Sequence, residues 1–434
     1  MSANLGTPRL AAAAASPSPA PFLGEFGQGW SMALLSLAGV ASSVSVLLIY
    51  SLGSLIVPLQ QGMGWSRADL QLAVSFLAAG GALSVWLVGA LNARFGMRCV
   101  TAVSMLALAI AFACVSQLRG SIGWLYAAYF VLPFIGIGTT PVTWTQIVNL
   151  RFVRQRGLAL SLVLCGSGIS ATLLPLLLAW SIVRWGWQAG YLTLALVPLA
   201  MWASRSWSHL PTRAALQGLQ VASSAQAGNA GLPFAQVLRH WKFWVCNVAL
   251  ALIVSAIYGL ATNIVPLLRD IGLAPAVAAG VFGMFGVSLI AGRIVVGALL
   301  DRLWAPGVAA VALSLPAIGC LLLLRADAHT AMPTLMIATA LCGAGSGAEF
   351  DIAAYLMSRL FGLRDYGRLF GLHLAIVTIG SALAPFGFAA LLRSTGGYAA
   401  MLALCGSACL LGPALLLTLG RMPALPSTSP KGLP

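Results

Sequence analysis

Charged side chains are scarce in this chain of 434 residues. Asp, Glu, Lys and Arg together make up 7% of the sequence, and only eight residues are acidic. Soluble domains average about 25% charged residues, so the shortage excludes an ordinary water-facing surface and, with it, a soluble enzyme. The mean hydropathy of +0.96 and the 60% share of hydrophobic residues agree. The composition therefore indicates an integral membrane protein.

The sequence lacks the residue patterns that metal binding, ATP hydrolysis and nucleic-acid binding require. No CxxC pair occurs among the eight cysteines, and the four histidines are widely separated, so we expect no metal site and no cofactor. The cysteines lie mostly in apolar runs and are expected to be reduced packing residues. No Walker motif is present, so ATP does not drive this protein. The net charge of +15 does not form one basic patch, which argues against a nucleic-acid partner.

Polar and charged clusters divide the chain into twelve apolar segments. A membrane-spanning helix needs about 20 apolar residues. The predicted spans are 30–59, 69–91, 99–117, 122–148, 157–183, 189–204, 243–267, 276–299, 307–324, 332–357, 369–391 and 397–420. The predicted fold is an all-α membrane protein of twelve transmembrane helices. Its units are a tail at 1–29, a six-helix bundle at 30–204, a central loop at 205–242, a second bundle at 243–420 and a tail at 421–434.

The loops differ in their content of Lys and Arg, which predicts the orientation. Sixteen basic residues fall on the side that holds both termini and the central loop, and six fall on the other side. Basic loops face the cytoplasm. We therefore expect a multi-pass protein of the inner cell membrane with cytoplasmic, flexible tails.

One short pattern occurs twice, 208 positions apart, after the second and the eighth span. The first copy is Gly89-Ala-Leu-Asn-Ala-Arg94-Phe-Gly96-Met-Arg98, and the second is Gly297-Ala-Leu-Leu-Asp301-Arg302. A repeat at half the length of an apolar chain indicates two similar halves, as in many solute transporters. The glycines would let helix ends approach closely, while the arginines and Asp301 would bind neighbouring helix ends in one access state. We expect both loops to act in gating.

The twelve spans and the repeated loop resemble the major facilitator superfamily. Four further passages are similar to its monocarboxylate-porter branch and the bacterial relatives of that branch: Glu25–Trp30, Gly64–Asp69, Arg151–Ala159 and Phe361–Arg368. The resemblance implies transport by alternating access. The chain departs from the superfamily pattern at Ala93, where the first loop usually has an acid. It departs from the branch at Leu289, where an Asp often precedes the arginine of span eight.

Three charges lie inside predicted spans: Arg293, Glu349 and Asp351. Each such charge costs several kcal/mol unless it is paired or hydrated, so it is a functional candidate. Arg293 and Asp351 are each eight residues from a charged loop, about 12 Å along a helix, so they lie at similar depth if spans eight and ten adjoin. We predict that Arg293 binds a substrate carboxylate and that Glu349 or Asp351 carries a proton. A permanent structural ion pair is the alternative.

Other polar residues are weaker candidates. His373 could relay the proton, although a packing histidine explains it equally. Tyr50, Asn263, Tyr258 and Gln146 lie in spans one, seven and four and could contact the substrate, or could serve packing and hydrogen bonding between helices. The glycines Gly343, Gly345 and Gly347 of span ten are expected to allow close helix packing.

The favoured function is a proton-coupled carrier of a small organic anion, with a monocarboxylate as the expected substrate and the lipid bilayer as surroundings. Both lysines of the chain, Lys242 and Lys431, lie outside the spans. A single intramembrane cation therefore favours one carboxylate over two. An exporter of amphipathic drugs or metabolites and a non-transporting membrane sensor are the alternatives. A monomer is the expected assembly.

Overall fold

The computed structural model describes residues 24–152, 156–213, 232–300, 302–362 and 365–420, and these fold into sixteen α-helices without a strand. The helices are α1 Gly24–Ala41, α2 Val44–Met63, α3 Arg67–Phe95, α4 Met97–Val115, α5 Gly123–Ile135, α6 Pro141–Arg151, α7 Arg156–Leu164, α8 Gly166–Trp185, α9 Trp187–Ala203, α10 Phe234–Leu238, α11 Trp241–Asp270, α12 Pro275–Leu300, α13 Ala305–Leu324, α14 Met332–Phe361, α15 Tyr366–Thr395 and α16 Ala399–Leu417.

Eight helical segments in the described part of the chain are long and apolar enough to cross a membrane, one of them being α7 and α8 together, and α3 is a ninth if its bend is allowed. The remaining predicted spans are shorter, broken or more polar. Span one is divided into α1 and α2 at Ser42 and Ser43. Span four is divided at a 3₁₀ turn, Ile137–Thr139, before Pro141. Proline has no backbone N–H and suits the first turn of a helix, so the sequence Thr139-Thr140-Pro141 restarts the helix there.

The helix ends lie on two faces of the bundle. The face formed by residues 64–66, 116–122, 271–274, 325–331 and 396–398 is called the distal face, and the face formed by residues 204–213, 232–240, 302–304 and 418–420 is called the terminal face. The distal face corresponds to the side that the basic-residue count predicts to be outside.

The two halves meet along two equivalent seams. Helix α8 of the first half packs on α12 of the second, and α3 of the first half packs on α15 of the second. In span numbers these are the pairs five–eight and two–eleven, as expected of two halves related by a pseudo-two-fold axis. The structure therefore has the twelve-helix, two-half fold that the sequence predicts. Helices α2 and α11 also cross between the halves, next to the seam of α8 and α12.

Candidate functional site

Arg293 lies deep in the second half, on α12, with 3% of its surface exposed. Its Nε donates a hydrogen bond to the Gly347 carbonyl oxygen at 3.0 Å and lies 3.5 Å from Oδ2 of Asp351. Its Nη1 is buried and has no hydrogen-bond partner. Buried polar atoms are almost always hydrogen-bonded, so a guanidinium with a vacant donor is suited to hold an anion.

Close packing of α14 on α12 creates this geometry. A Cβ atom added to Gly347 would lie 3.0 Å from the backbone nitrogen of Arg293, and one added to Gly292 would lie 3.0 Å from Cα of Ala344. Gly343 faces Phe285 of α12 in the same way, whereas Gly345 faces Pro316 of α13. The prediction that these glycines allow close packing is confirmed, and spans eight and ten do adjoin.

We expect Gly347→Ala to destabilise the fold and the site together. The added methyl group must push α14 away from α12, because the clashing atoms are backbone atoms of Leu289 and Arg293. Overpacking of this kind costs about 1–3 kcal/mol, and the shift would lengthen the bond from Arg293 to the carbonyl of residue 347. Thermal unfolding in detergent should show a midpoint several degrees below that of the wild type.

Gly280→Ala is the matched control for this prediction, since Gly280 lies on α12 and a Cβ added there meets no atom within 4 Å. An equal fall in the midpoint for Gly280→Ala, or none for Gly347→Ala, would contradict the packing account.

Two acids of α14 accompany Arg293. Glu349 has 4% of its surface exposed, and its Oε2 is buried without a hydrogen-bond partner. Asp351 is closer to the guanidinium and more exposed, with 16% of its side chain accessible. Glu349 interacts electrostatically with both Arg293 and Asp351. The acids thus share one cation but differ in role, because Asp351 forms the ion pair and Glu349 does not.

Two tyrosines extend the cluster across the interface between the halves. Tyr50 of α2 and Tyr258 of α11 both interact electrostatically with Glu349. The Tyr50 hydroxyl also interacts with the Ser346 side chain, and the Tyr50 ring lies 6.2 Å from that of Phe285. The sequence prediction did not include Ser346; its position within the glycine series of α14 was the available signal.

Helix α7 contributes to the same place from the first half. Cys165, at its end, interacts electrostatically with Arg293 and Asp351. The structure therefore brings together Arg293, Glu349, Asp351, Tyr50 and Tyr258 of the predicted site residues. We call these five residues the central cluster. It lies between the halves, where alternating access requires a substrate site.

Other predicted residues have partners elsewhere. The Asn263 side chain accepts a hydrogen bond from Gln71 of α3 at 2.5 Å and donates one to the Gly259 carbonyl at 2.9 Å. Asn263 thus joins the two halves. The sequence prediction missed Gln71, because nothing in a sequence reveals a contact between residues that are 192 positions apart.

His373 and Gln146 also lie away from the central cluster. The buried His373 is hydrogen-bonded through Nδ1 to Oδ1 of Asn247 at 2.9 Å. Asn247 precedes Tyr258 by eleven residues on α11, about 16 Å along the helix axis, so His373 lies near the terminal face. Gln146 is half-buried on α6, which packs mainly on α1 and α7. No contact of the described residues brings either side chain to the central cluster.

The two repeated loops lie on the terminal face and are held differently. In the first, Gly96 adopts φ +81°, which favours glycine, and Arg98 donates a hydrogen bond from Nε to the Leu210 carbonyl. Arg94 is exposed and stacks on Phe95. In the second loop Arg302 is exposed, whereas Asp301 lies outside the described residues. Gly89 and Gly297 both have open space where a Cβ would be.

Two ion pairs join the halves at the distal face. Arg67 of α3 pairs with Asp270 of α11, and Arg393 of α15 pairs with Asp69 of α3. Ser66 caps α3 and bonds to Asp69, with its oxygen 2.6 Å from Oδ2, which fixes that carboxylate. Two further side-chain hydrogen bonds between the halves lie below these ion pairs, from Gln71 to Asn263 and from Thr172 to the Gly283 carbonyl. The structure is therefore closed at its distal face.

We expect the double variant Asp69→Asn, Asp270→Asn to open the distal face more often. Each pair is partly exposed and worth up to about 1 kcal/mol, so losing both should raise the ratio of distal-open to distal-closed molecules several-fold. Pulsed electron paramagnetic resonance between spin labels at positions 121 and 329, in a background without the exposed Cys99 and Cys114, measures that ratio.

Arg184→Gln is the control for this measurement, because Arg184 lies near the distal face but stacks on Trp180 of its own half. An unchanged distance distribution in the double variant would show that these pairs do not hold the halves together.

Comparisons with known proteins identify one family. Residues 38–327 match the Major Facilitator Superfamily. Monocarboxylate transporter 13 of Bos taurus is 29% identical over 339 residues, which cover 76% of this chain and 75% of the relative. The gallate transporter of Pseudomonas putida is 27% identical over 366 residues, covering 74% and 79%. The crystal structure of a D-xylose-proton symporter aligns with 91% of this chain over 98% of its own length, with a TM-score of 0.68 at 14% identity. The two proteins therefore share the fold.

Proposed function

Because the chain belongs to the major facilitator superfamily of membrane transporters, we propose that it carries a small organic monocarboxylate together with a proton by alternating access. One observation carries the proposal: a buried arginine whose Nη1 has no hydrogen-bond partner lies on α12, the helix of the second half that packs on α8 of the first. The guanidinium is planar and donates two parallel hydrogen bonds to a carboxylate. The names of the two relatives agree with an organic acid as cargo.

The charge balance of the central cluster supports coupling to a proton. Arg293 contributes one positive charge, and Glu349 and Asp351 contribute two negative charges when both are ionised. A bound carboxylate would add a third negative charge to a poorly hydrated site, which is costly. Protonation of an acid as the substrate binds keeps the total charge unchanged. The proton and the anion would therefore enter and leave together.

Oε2 of Glu349 and Oδ2 of Asp351 are both buried without a hydrogen-bond partner. Glu349 is the better candidate for the proton, because Asp351 lies 3.5 Å from the guanidinium and forms the ion pair with it. Tyr50 and Tyr258 would contact the substrate or orient Glu349. The greater number of basic residues near the terminal face indicates that this face is cytoplasmic. The closed distal face then corresponds to a molecule closed to the outside.

An exporter of amphipathic cations is the second candidate. It has one observation in its favour: two acids accompany one arginine, so the fully ionised cluster has a net negative charge. Such a site would retain Arg293 as a structural ion pair with Asp351, and Glu349 would bind the cation.

Uptake into proteoliposomes distinguishes the two functions. A panel of radiolabelled hydrophilic monocarboxylates, their amides and an amphipathic cation would be tested with and without an inward proton gradient, and protein-free liposomes would correct for diffusion of the neutral acids. We expect gradient-stimulated uptake of carboxylates and none of the amides. Transport of the cation alone, by correctly folded protein, would replace the proposal with the exporter.

A further inference from the structure

A cavity opens at the distal face, separate from the central cluster. Its volume is about 370 Å³, within the range of small-molecule sites. Both halves line it: Ser54 and Gln61 come from α2, Ile182 from α8, Trp187 from α9, and Val265 and Arg269 from α11. Gln61 is exposed at its rim, whereas Ser54 is buried at 8% exposure. The cavity therefore extends from the distal surface into the interface between the halves.

Arg269 supplies the positive charge of this cavity. The neighbouring Arg67 is neutralised by Asp270, and Arg393 is neutralised by Asp69. Arg269 takes part in none of the three ion pairs of the described residues and is half-buried. Asp270 also acts electrostatically on Arg269, but its carboxylate is already paired with Arg67, which lies close enough to repel Arg269. A half-buried cation is incompletely hydrated, so Arg269 gains from a bound anion.

The remaining wall suits an apolar body with a single charged group. Trp187, Ile182 and Val265 present apolar surface, and Gln61 and Ser54 are uncharged polar residues. A flat or branched organic acid could place its carboxylate against Arg269 and its body against Trp187.

The cavity lies in line with the central cluster. Ser54 is four residues after Tyr50 on α2, about 6 Å along the helix axis. Between the two sites α2 and α11 touch at Gly53, where an added Cβ would lie 3.0 Å from the Thr262 carbonyl oxygen and 3.5 Å from Cβ of Val265. Separation of the halves at this crossing would join the cavity to the central cluster.

We propose that this distal cavity is a second anion site, in which Arg269 holds the carboxylate of an organic acid outside the closed crossing at Gly53. The inference rests on the proposed function for its ligand, a monocarboxylate that is also the transport substrate. The inference adds a binding site on the distal side, where the substrate is held before the crossing opens. The proposed role of Arg293 does not require this second site.

Thiol labelling tests the site without relying on transport. Ser54→Cys places a thiol at the inner end of the cavity, in a background where the exposed Cys99 and Cys114 are replaced by Ser. The protein is reconstituted in vesicles of neutral phosphatidylcholine. Its reaction rates are measured with an anionic and a cationic methanethiosulfonate of similar size. We expect Arg269→Gln to lower the ratio of anionic to cationic rates about 5-fold or more, and benzoate to slow both reactions when Arg269 is present.

Arg184→Gln is the matched control, because it removes a distal arginine that stacks on Trp180 in its own half, and it should leave the ratio unchanged. The proposal is overturned if residue 54 reacts with neither reagent, or if Arg269→Gln does not change the ratio. It is also overturned if benzoate gives no protection while added anionic lipid does, because Arg269 would then hold a lipid headgroup.

The labelling result and the transport result are independent. A charge-dependent ratio with benzoate protection supports the site even if no carboxylate crosses the membrane, an outcome that would overturn the transport proposal alone. Normal carboxylate uptake combined with an unchanged ratio would overturn the distal site alone.

Discussion

Arg293→Ala is expected to reduce carboxylate uptake at least about 30-fold in kcat/KM. Removing one partner of a buried, hydrogen-bonded charge pair costs about 2–5 kcal/mol, and here the loss leaves Glu349 and Asp351 without their cation. Initial rates of radiolabelled uptake into proteoliposomes measure the effect. Arg293→Lys keeps the charge but loses the planar fork, so it should retain a small part of the activity with a raised KM.

Arg239→Ala is the matched control, since Arg239 is an exposed arginine near the terminal face and lies outside both repeated loops. Thermal unfolding of each variant separates a loss of transport from a loss of fold. Full activity in a folded Arg293→Ala protein would show that the buried arginine is structural and would remove the main support for a carboxylate substrate.

Glu349→Gln is expected to remove the stimulation of uptake by a proton gradient while exchange of carboxylate for carboxylate continues. The amide resembles a permanently protonated acid, so the cluster can still accept an anion but cannot release a proton. The ratio of uptake with an inward gradient to uptake without it should fall to about one. Asp351→Asn should behave differently, because this acid holds Arg293 at 3.5 Å; we expect a raised KM and retained stimulation.

The pair of variants decides which acid carries the proton. Loss of stimulation in Asp351→Asn with retention in Glu349→Gln would exchange the two roles. Retained stimulation in both single variants would place the coupling proton outside α14.

The central cluster could be predicted in part because charges are so costly in a membrane. Arg293, Glu349 and Asp351 are conspicuous in an apolar sequence, and counting residues from the loops placed Arg293 and Asp351 at similar depth. The glycines of α14 indicated a close neighbour. The sequence did not show that this neighbour is α12, and the structure established the contact.

Pairings between distant helices could not be predicted. The sequence indicated no pairing partner for Arg67 or Arg393, yet each pairs with an acid in the other half. Asn263 was predicted as a substrate ligand because polar groups are rare in spans, and the structure shows Gln71 as its hydrogen-bond partner in the other half. A sequence shows that a buried polar group needs a partner, but the helix arrangement decides which partner it has.

The most direct test of whether this chain carries a monocarboxylate across a membrane is a counterflow experiment. Exchange of labelled for unlabelled substrate needs no assumption about the driving ion. Proteoliposomes are loaded with an unlabelled monocarboxylate and diluted into a trace of the same compound carrying a radiolabel. We predict a transient accumulation of label above its equilibrium level with wild-type protein and none with Arg293→Ala. No accumulation for any carboxylate of the panel, with wild-type protein shown to be folded, would contradict it.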